Sequence, residues 1–448
     1  MNPLHALAAL LLASPAAAQY TLYTDLSVSV PETGNEELYN LAVPNPIPDD
    51  MPLIVVFHGQ FSTNHHQVVI QSQAPNGWDL LTDATAAGFG VLMPRAGHPD
   101  DFPMQPSYGI FTYGRRIMHY HVAAAIAQVQ SSLSIDPDRI YAYGFSMGGG
   151  DALSYVARHL DPTGVMFAAV LTHSGAVSPP YSYHHGGTTW QDYLEGFYQA
   201  VDYATEELKF QEASAVDYGP LLALRPDTSM GWNLTHLPVF NYYDDNGIPP
   251  HDNPGLVAQC HELDDLMANY VMHTSYTTAN TTGDGHGYIV LDTATILGAF
   301  TSTLQLPKEA KTLVAEPLNG TDERVFHFRV TRRAPAGAPL MASFDWDVNW
   351  VPGPIKPFPP RLDLHDLDGL ATVRGLTNKL GYSATRRLNV DVSIDDGQPV
   401  VVELTDYGAG VSQILANGVP LTAGVDYGFN GSILWINVPV DTLLEIFP

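Results

Sequence analysis

Arg139-Ile140-Tyr141-Ala142-Tyr143-Gly144-Phe145-Ser146-Met147-Gly148-Gly149-Gly150-Asp151-Ala152-Leu153 is the stretch that decides the architecture of this chain. Its first five residues are strand-like, and from Gly149 onward it opens a helix. Between them, Gly144-Phe145-Ser146-Met147-Gly148 fits Gly-x-Ser-x-Gly, a serine held on a tight strand-to-helix turn. Side chains at the two outer positions would crowd that turn, which is why glycine stands at both. The pattern alone recurs by chance in glycine-rich chains. The strand before it and the helix after it give it weight and make Ser146 a candidate nucleophile.

Outward from this turn, residues 50 to 305 alternate short apolar runs with longer amphipathic ones, the pattern of an α/β domain. Leu53-Ile54-Val55-Val56-Phe57, Gly90-Val91-Leu92-Met93, Phe167 to Leu171 and Pro238 to Tyr242 read as further strands, continuous as expected where both faces are buried. Leu80 to Ala87, Met118 to Leu133 and Asp151 to His159 read as helices. A mostly parallel sheet with helices on both faces follows. Residues 175 to 236 break the rhythm; a connection that long is rarely a bare loop, and a cap over the site is expected. Within it, Tyr181, Tyr183, Trp190 and Tyr193 either line an aromatic or polymer-chain site or form the core of the cap.

A serine hydroxyl needs a base to become a nucleophile. For a serine on such a turn, the acid and then the histidine follow in chain order. Gly285-His286-Gly287 sets an imidazole between glycines ahead of the helix-like run Leu291 to Leu304, which makes His286 the candidate general base. The strand ending at Tyr242 runs into Tyr243-Asp244-Asp245-Asn246-Gly247-Ile248-Pro249. A carboxylate just past a strand's C-terminal end is placed to orient the imidazole, and Asp244 and Asp245 compete for that role. One oxyanion donor is expected from the backbone N–H of Met147, after the nucleophile. The second is expected from His58-Gly59-Gln60-Phe61, with Gln60 as donor and His58 bracing the loop.

Together, Val56-Phe57-His58-Gly59, Ala87-Gly88-Phe89-Gly90-Val91-Leu92-Met93-Pro94, Asp136-Pro137-Asp138-Arg139-Ile140-Tyr141 and Gly144 to Gly149 resemble the polyhydroxybutyrate-depolymerase and feruloyl-esterase group of α/β-hydrolases. That group's acid motif, an aspartate followed by an aliphatic residue and proline three and four positions on, maps onto Asp245-Asn246-Gly247-Ile248-Pro249 and selects Asp245 over Asp244. Its Gly-His motif maps onto Gly285-His286. The resemblance implies an α/β-hydrolase fold and a Ser146–His286–Asp245 triad with no cofactor and no metal. It implies an ester substrate: a feruloyl or acetyl polysaccharide ester, or a polyester. Two departures stand out: Asn241-Tyr242 replaces the family's usual His-Gly, and the insertion is long.

After Leu306 the character changes to strand-length runs with turn signals, such as Leu388 to Ser393 and Val400 to Leu404 after Asp395-Asp396-Gly397. A C-terminal β-sandwich over 306–448 is expected, following a catalytic domain over 19–305. Residues 1–18 read as a signal peptide: an apolar run from Ala6 to Ala13, then Ser14-Pro15-Ala16-Ala17-Ala18, without Lys or Arg ahead of it. Secretion is the expectation, and no later stretch approaches the roughly 18 apolar residues of a membrane span. A net charge of −28, from 19 basic against 47 acidic residues, argues against nucleic acid or an anionic membrane as partner. Cys260 is the single cysteine, so no intrachain disulfide forms, and a buried structural thiol is expected.

The rival class is a metal-dependent hydrolase using His65-His66, His119-x-His121 or His184-His185, but no His-Glu-x-x-His helix or spaced acid accompanies them. A serine peptidase of the same fold and a non-catalytic binding protein also compete with the esterase. The oligomeric state is not legible from the sequence.

Overall fold

The computed structural model describes residues 20–60, 79–98, 112–161, 164–221, 223–245, 252–281, 285–287 and 291–301 of the first part of the chain. Beyond it, the described residues are 310–314, 323–334, 340–346, 361–377, 380, 387–405, 407 and 410–448. The expected signal segment, His65-His66, the Ile248-Pro249 of the acid motif and the expected boundary at 305/306 lie outside these residues.

Eight strands form the first sheet, in chain order β1 (Tyr20–Val30), β2 (Asn35–Pro44), β3 (Met51–Phe57), β4 (Gly90–Pro94), β5 (Ile135–Phe145), β6 (Ala169–His173), β7 (Val239–Tyr243) and β8 (Tyr276–Asn280). Their spatial order is β1-β2-β4-β3-β5-β6-β7-β8. The β1–β2 and β2–β4 pairs are antiparallel, and every later pair is parallel. Helices α1 (Leu80–Ala86), α2 (Arg116–Ser132) and α3 (Met147–Arg158) alternate with the strands.

The unbroken apolar runs are explained by burial on both faces. Leu53, Val55 and Phe57 of β3, with Ile140 and Ala142 of β5, face α2 and α3. The intervening Ile54, Val56, Tyr141 and Tyr143 face α1 and Leu291, Ile296 and Phe300 on the other side. Each such side chain contributes about 1.5–3 kcal/mol on burial, enough that one charge in these strands would undo several neighbours.

Between β6 and β7 the chain forms α4 (Pro179–His185), α5 (Gly187–Tyr198), α6 (Glu207–Gln211) and two 3₁₀ turns (Pro226–Thr228 and Met230–Leu234). Phe197, Tyr198, Tyr203 and Phe210 pack with Tyr113 and Met147 into a cluster of their own. After β7 come α7 (Pro254–Asp265), then β8 and α8 (Thr293–Thr301).

The C-terminal part contains strands β9 (Ala310–Val314), β10 (Glu323–Val325), β11 (Phe328–Arg332), β12 (Leu340–Trp346), β13 (Arg361–His365), β14 (Leu370–Leu376), β15 (Leu388–Val392), β16 (Val400–Thr405), β17 (Gln413–Ala416), β18 (Val419–Pro420), β19 (Tyr427–Phe429), β20 (Ile433–Val438) and β21 (Thr442–Phe447). They make a six-stranded sheet, β10-β11-β14-β16-β20-β19, and a seven-stranded one, β18-β17-β21-β15-β13-β12-β9. In β15 and β16 alternate residues are buried, matching the apolar alternation of the sequence. Val373, Val402 and Ile436 of one sheet share a core with Leu362, Val390 and Ile446 of the other.

The two parts of the chain are joined by more than a linker. Leu160 and Met166, which follow α3, are buried in that C-terminal core. The Phe326 N–H donates to the Leu160 carbonyl at 2.7 Å, and the Phe326 ring meets His236 edge-on at 5.4 Å.

Candidate active site

Ser146 stands between β5 and α3 with φ 58 and ψ −125, a left-handed backbone that a residue with a side chain seldom adopts. The surroundings hold it there: its N–H donates to the His173 carbonyl at 2.9 Å, and its carbonyl accepts from Gly149 and Ala176 at 3.0 and 2.9 Å. The flanking glycines are obligatory for close approach. A Cβ on Gly144 would lie 1.9 Å from the Gly148 carbonyl oxygen, and one on Gly148 would lie 2.2 Å from that of Phe57. The Gly-x-Ser-x-Gly pattern thus records backbone contacts, as the tight-turn argument requires.

His286 is brought over the strand ends to this serine. Its Nε2 lies 3.0 Å from Ser146 Oγ, and its ring rests against Phe145 at 4.7 Å between centroids. On its other side, Nδ1 lies 2.6 Å from Oδ1 of Asp252. A carboxylate only accepts, so Nδ1 carries the proton and Nε2 of the neutral ring is left to accept from the serine hydroxyl.

The expected acid is corrected by this geometry. Asp245 does not reach His286; it is exposed at the end of β7 and its Oδ2 pairs with His261 Nε2 at 2.7 Å. Asp244, its rival, is buried beside it. The carboxylate that meets His286 is Asp252, seven positions beyond Asp245 and fully buried at its side chain. It immediately precedes Asn253, which caps α7 ahead of Pro254. Burial would raise the Asp252 carboxyl, but the effects led by the hydrogen bond from His286 outweigh it and hold the group below its usual range. The neighbouring His173 imidazole is driven by burial down to about 3 and is therefore neutral.

Met147 is the first residue of α3, where N–H groups lack intrahelical partners and the helix dipole favours negative charge. Gly59 and Gln60 border the same space: a Cβ on Gly59 would lie 3.7 Å from the Ser146 Cβ. His58 is buried, with its ring nitrogens 2.9 and 2.8 Å from the carbonyl oxygens of Gly59 and Arg95, which ties the loop to the end of β4.

Ser146, His286, Gly59 and Gln60 line a cavity of about 510 Å³. Tyr181, Ser182 and His185 of α4, Gly186 after it and Trp190 of α5 form one wall, and Asn253 at the cap of α7 with Leu256 and Gln259 within it another. The four aromatic residues singled out in the insertion divide. Tyr181 and Trp190 line the cavity, whereas Tyr183 packs on Tyr203 and Phe210 inside the cap and Tyr193 stacks on Phe197.

The histidine pairs lie in separate settings. His121 Nδ1 meets buried Glu37 at 2.9 Å, His119 stacks on His159, and His185 stacks on Tyr181. Among the described residues, Asp363, His365 and Asp391 form the one group spaced to hold a metal ion. Arg361 already bonds both of those carboxylates, and the group lies far along the chain on the C-terminal sheet. Cys260 is buried and reduced, with its thiol pushed well up by burial. No helix among the described residues is long and apolar enough to cross a membrane.

No protein-family model matches the chain, and no curated protein matches its sequence. Among solved structures it is similar to a ferulic acid esterase at 16% identity, covering 63% of this chain and 97% of that one with a TM-score of 0.41. It is similar to carboxyl esterase 2 of Tuber melanosporum at 15% identity, covering 63% and 82%, TM-score 0.40. An S-formylglutathione hydrolase from Agrobacterium tumefaciens shares 14% identity over 64% of this chain and 96% of that one, with a TM-score of 0.43.

Proposed function

We propose that this protein is a serine hydrolase of the α/β-hydrolase fold that cleaves carboxylic esters. The observation that carries the reading is the hydrogen-bonded row Ser146–His286–Asp252, whose first two members line a cavity. Asp252 holds the imidazole with its proton on Nδ1, and Nε2 takes the Ser146 proton as Oγ attacks the ester carbonyl. The carbonyl electron pair moves onto oxygen, where the N–H groups of Met147 and Gln60 are the proposed donors. Collapse expels the alkoxide, which takes the proton from His286. Water, deprotonated by the same imidazole, then releases the acid and restores the serine.

The Tyr181 and Trp190 walls support an ester bearing an aromatic or polymeric chain, which favours feruloyl or acetyl polysaccharide esters and polyesters. Export is proposed from the Ala6–Ala13 run and the small residues after it. Ser146→Ala tests the reading. It should lower kcat on a small nitrophenyl ester by roughly four to six orders of magnitude while the melting temperature holds. A fluorophosphonate should label Ser146 in the native chain and nothing in the variant. A folded variant that retains substantial turnover would refute the assignment.

A further inference from the structure

Resting on that reading, we propose that Asp151 is a positioning residue for the second oxyanion donor. It fixes the turn 112–114 so that the Tyr113 hydroxyl pins Gln60 beside the nucleophile. The chain of contacts is continuous. Asp151 lies in the first turns of α3, five positions past Ser146, with 1% of its surface exposed. Its Oδ1 accepts the Gly114 N–H at 2.6 Å, and its Oδ2 accepts the Thr112 hydroxyl. Thr112 N–H donates in turn to the sulfur of Met147 at 3.3 Å.

Tyr113, held between those two anchors, has φ 42, and Gly114 has φ 68. Glycine takes such a φ freely, but a tyrosine does so at a cost and keeps it where its surroundings hold it. The support is visible: the Tyr198 hydroxyl donates to the Tyr113 carbonyl at 2.6 Å, Phe197 stacks on the ring at 5.9 Å, and Trp190 meets it edge-on at 6.0 Å. In this pose the Tyr113 hydroxyl donates to Gln60 Oε1 at 3.1 Å. His58 braces the loop before Gly59, and Tyr113 braces it after.

A carboxyl suits the anchoring position because it presents one oxygen to each partner: Oδ1 accepts the Gly114 N–H in either protonation state, and Oδ2 faces the Thr112 hydroxyl, a group that can both donate and accept. Its burial raises the carboxyl to about 7, an energetic cost that an inert packing position would not need to carry. The same link ties the cap to the oxyanion side of the site, since Tyr113 packs within the cap's aromatic cluster.

Steady-state kinetics and fluorophosphonate labelling of the full chain test the proposal. Tyr113→Phe keeps the ring stacking and removes only the hydroxyl; kcat should fall about tenfold with KM within about twofold, because a displaced oxyanion donor is felt in the transition state. Asp151→Ala should lose at least as much. Asp151→Asn, which can still accept from Gly114, should fall between it and the wild type. If Asp151 acts through Tyr113, the double variant Asp151→Ala/Tyr113→Phe should be no slower than Asp151→Ala alone. Should Asp151→Ala not fold, the Tyr113→Phe and Asp151→Asn results decide. Unchanged kcat in Tyr113→Phe, or a rise in KM alone, would overturn the positioning role while Ser146 labelling left the hydrolase reading standing. A wild-type chain that neither labels nor cleaves any ester would remove both.

Discussion

Asp245 and Asp252 each hold an imidazole, and the difference between them is solvent. The Asp245–His261 pair is 40% and 52% exposed at its side chains, where such pairs contribute little. Asp252 is sealed, so its hydrogen bond to His286 sets tautomer and orientation without competition from water. Asp252→Asn should therefore lower kcat about 10⁴-fold, with Asp245→Asn within about twofold of wild type. Ester hydrolysis by the two purified variants settles the order; a reversed ranking would return the role to Asp245. That Ser146 and His286 would come together was legible because glycine spacing and chain order each constrain one residue. Which carboxylate meets the imidazole was not, because one can reach it from anywhere on the loop after β7. The one local signal was Asp252-Asn253-Pro254, an acid set directly before a helix cap, and it says nothing about which imidazole the acid will meet.

Among the elements, α3 joins chemistry to stability. Every residue from Met147 to Arg158 is buried, Asp151 included. Burial raises the Asp151 carboxyl to about 7, against the lowering effect of its bonds to Thr112 and Gly114. The groups facing it are the phenols of Tyr113 and Tyr198, with Arg115 close to the latter. The folded chain thus holds this proton at pH values where the unfolded chain has lost it. The resulting stability is present below the ordinary carboxylate range and is lost as pH rises to about 7. Asp151→Asn, which cannot ionise, should gain in melting temperature relative to wild type on going from pH 5 to pH 8. An equal difference at both pH values would show that the carboxyl titrates elsewhere. Elements of this kind were the legible ones: β3, β4, β5, α2 and α3 announce themselves by unbroken apolar runs or helical spacing. The edge strands did not. β1 and β8 are half-exposed, their residues mix Thr, Ser and Asp with apolar ones, and the same alternation occurs in loops.

For the molecule as a whole, the change of composition after Leu306 marks a second, β-rich part, yet the sequence does not reveal how the two parts meet. Leu160 and Met166 look like ordinary loop apolars until Phe326 is placed against them. A chain ending at Lys308 keeps Ser146, Asp252 and His286 but uncovers both side chains. It should melt about 5 °C or more below the full chain while retaining small-ester hydrolysis at 25 °C. An unchanged melting temperature would mean that the contact adds nothing, and a folded but inactive product would mean that the C-terminal part completes the site. The same contact sets a delay during synthesis. Leu160 leaves the ribosome 166 residues ahead of Phe326, 326 minus 160, an interval on the order of ten to thirty seconds at ordinary elongation rates. Through that interval the newborn N-terminal part carries an uncovered apolar spot just past the C-terminal end of α3, and whatever escorts the nascent chain must shield that spot until the partner strands arrive.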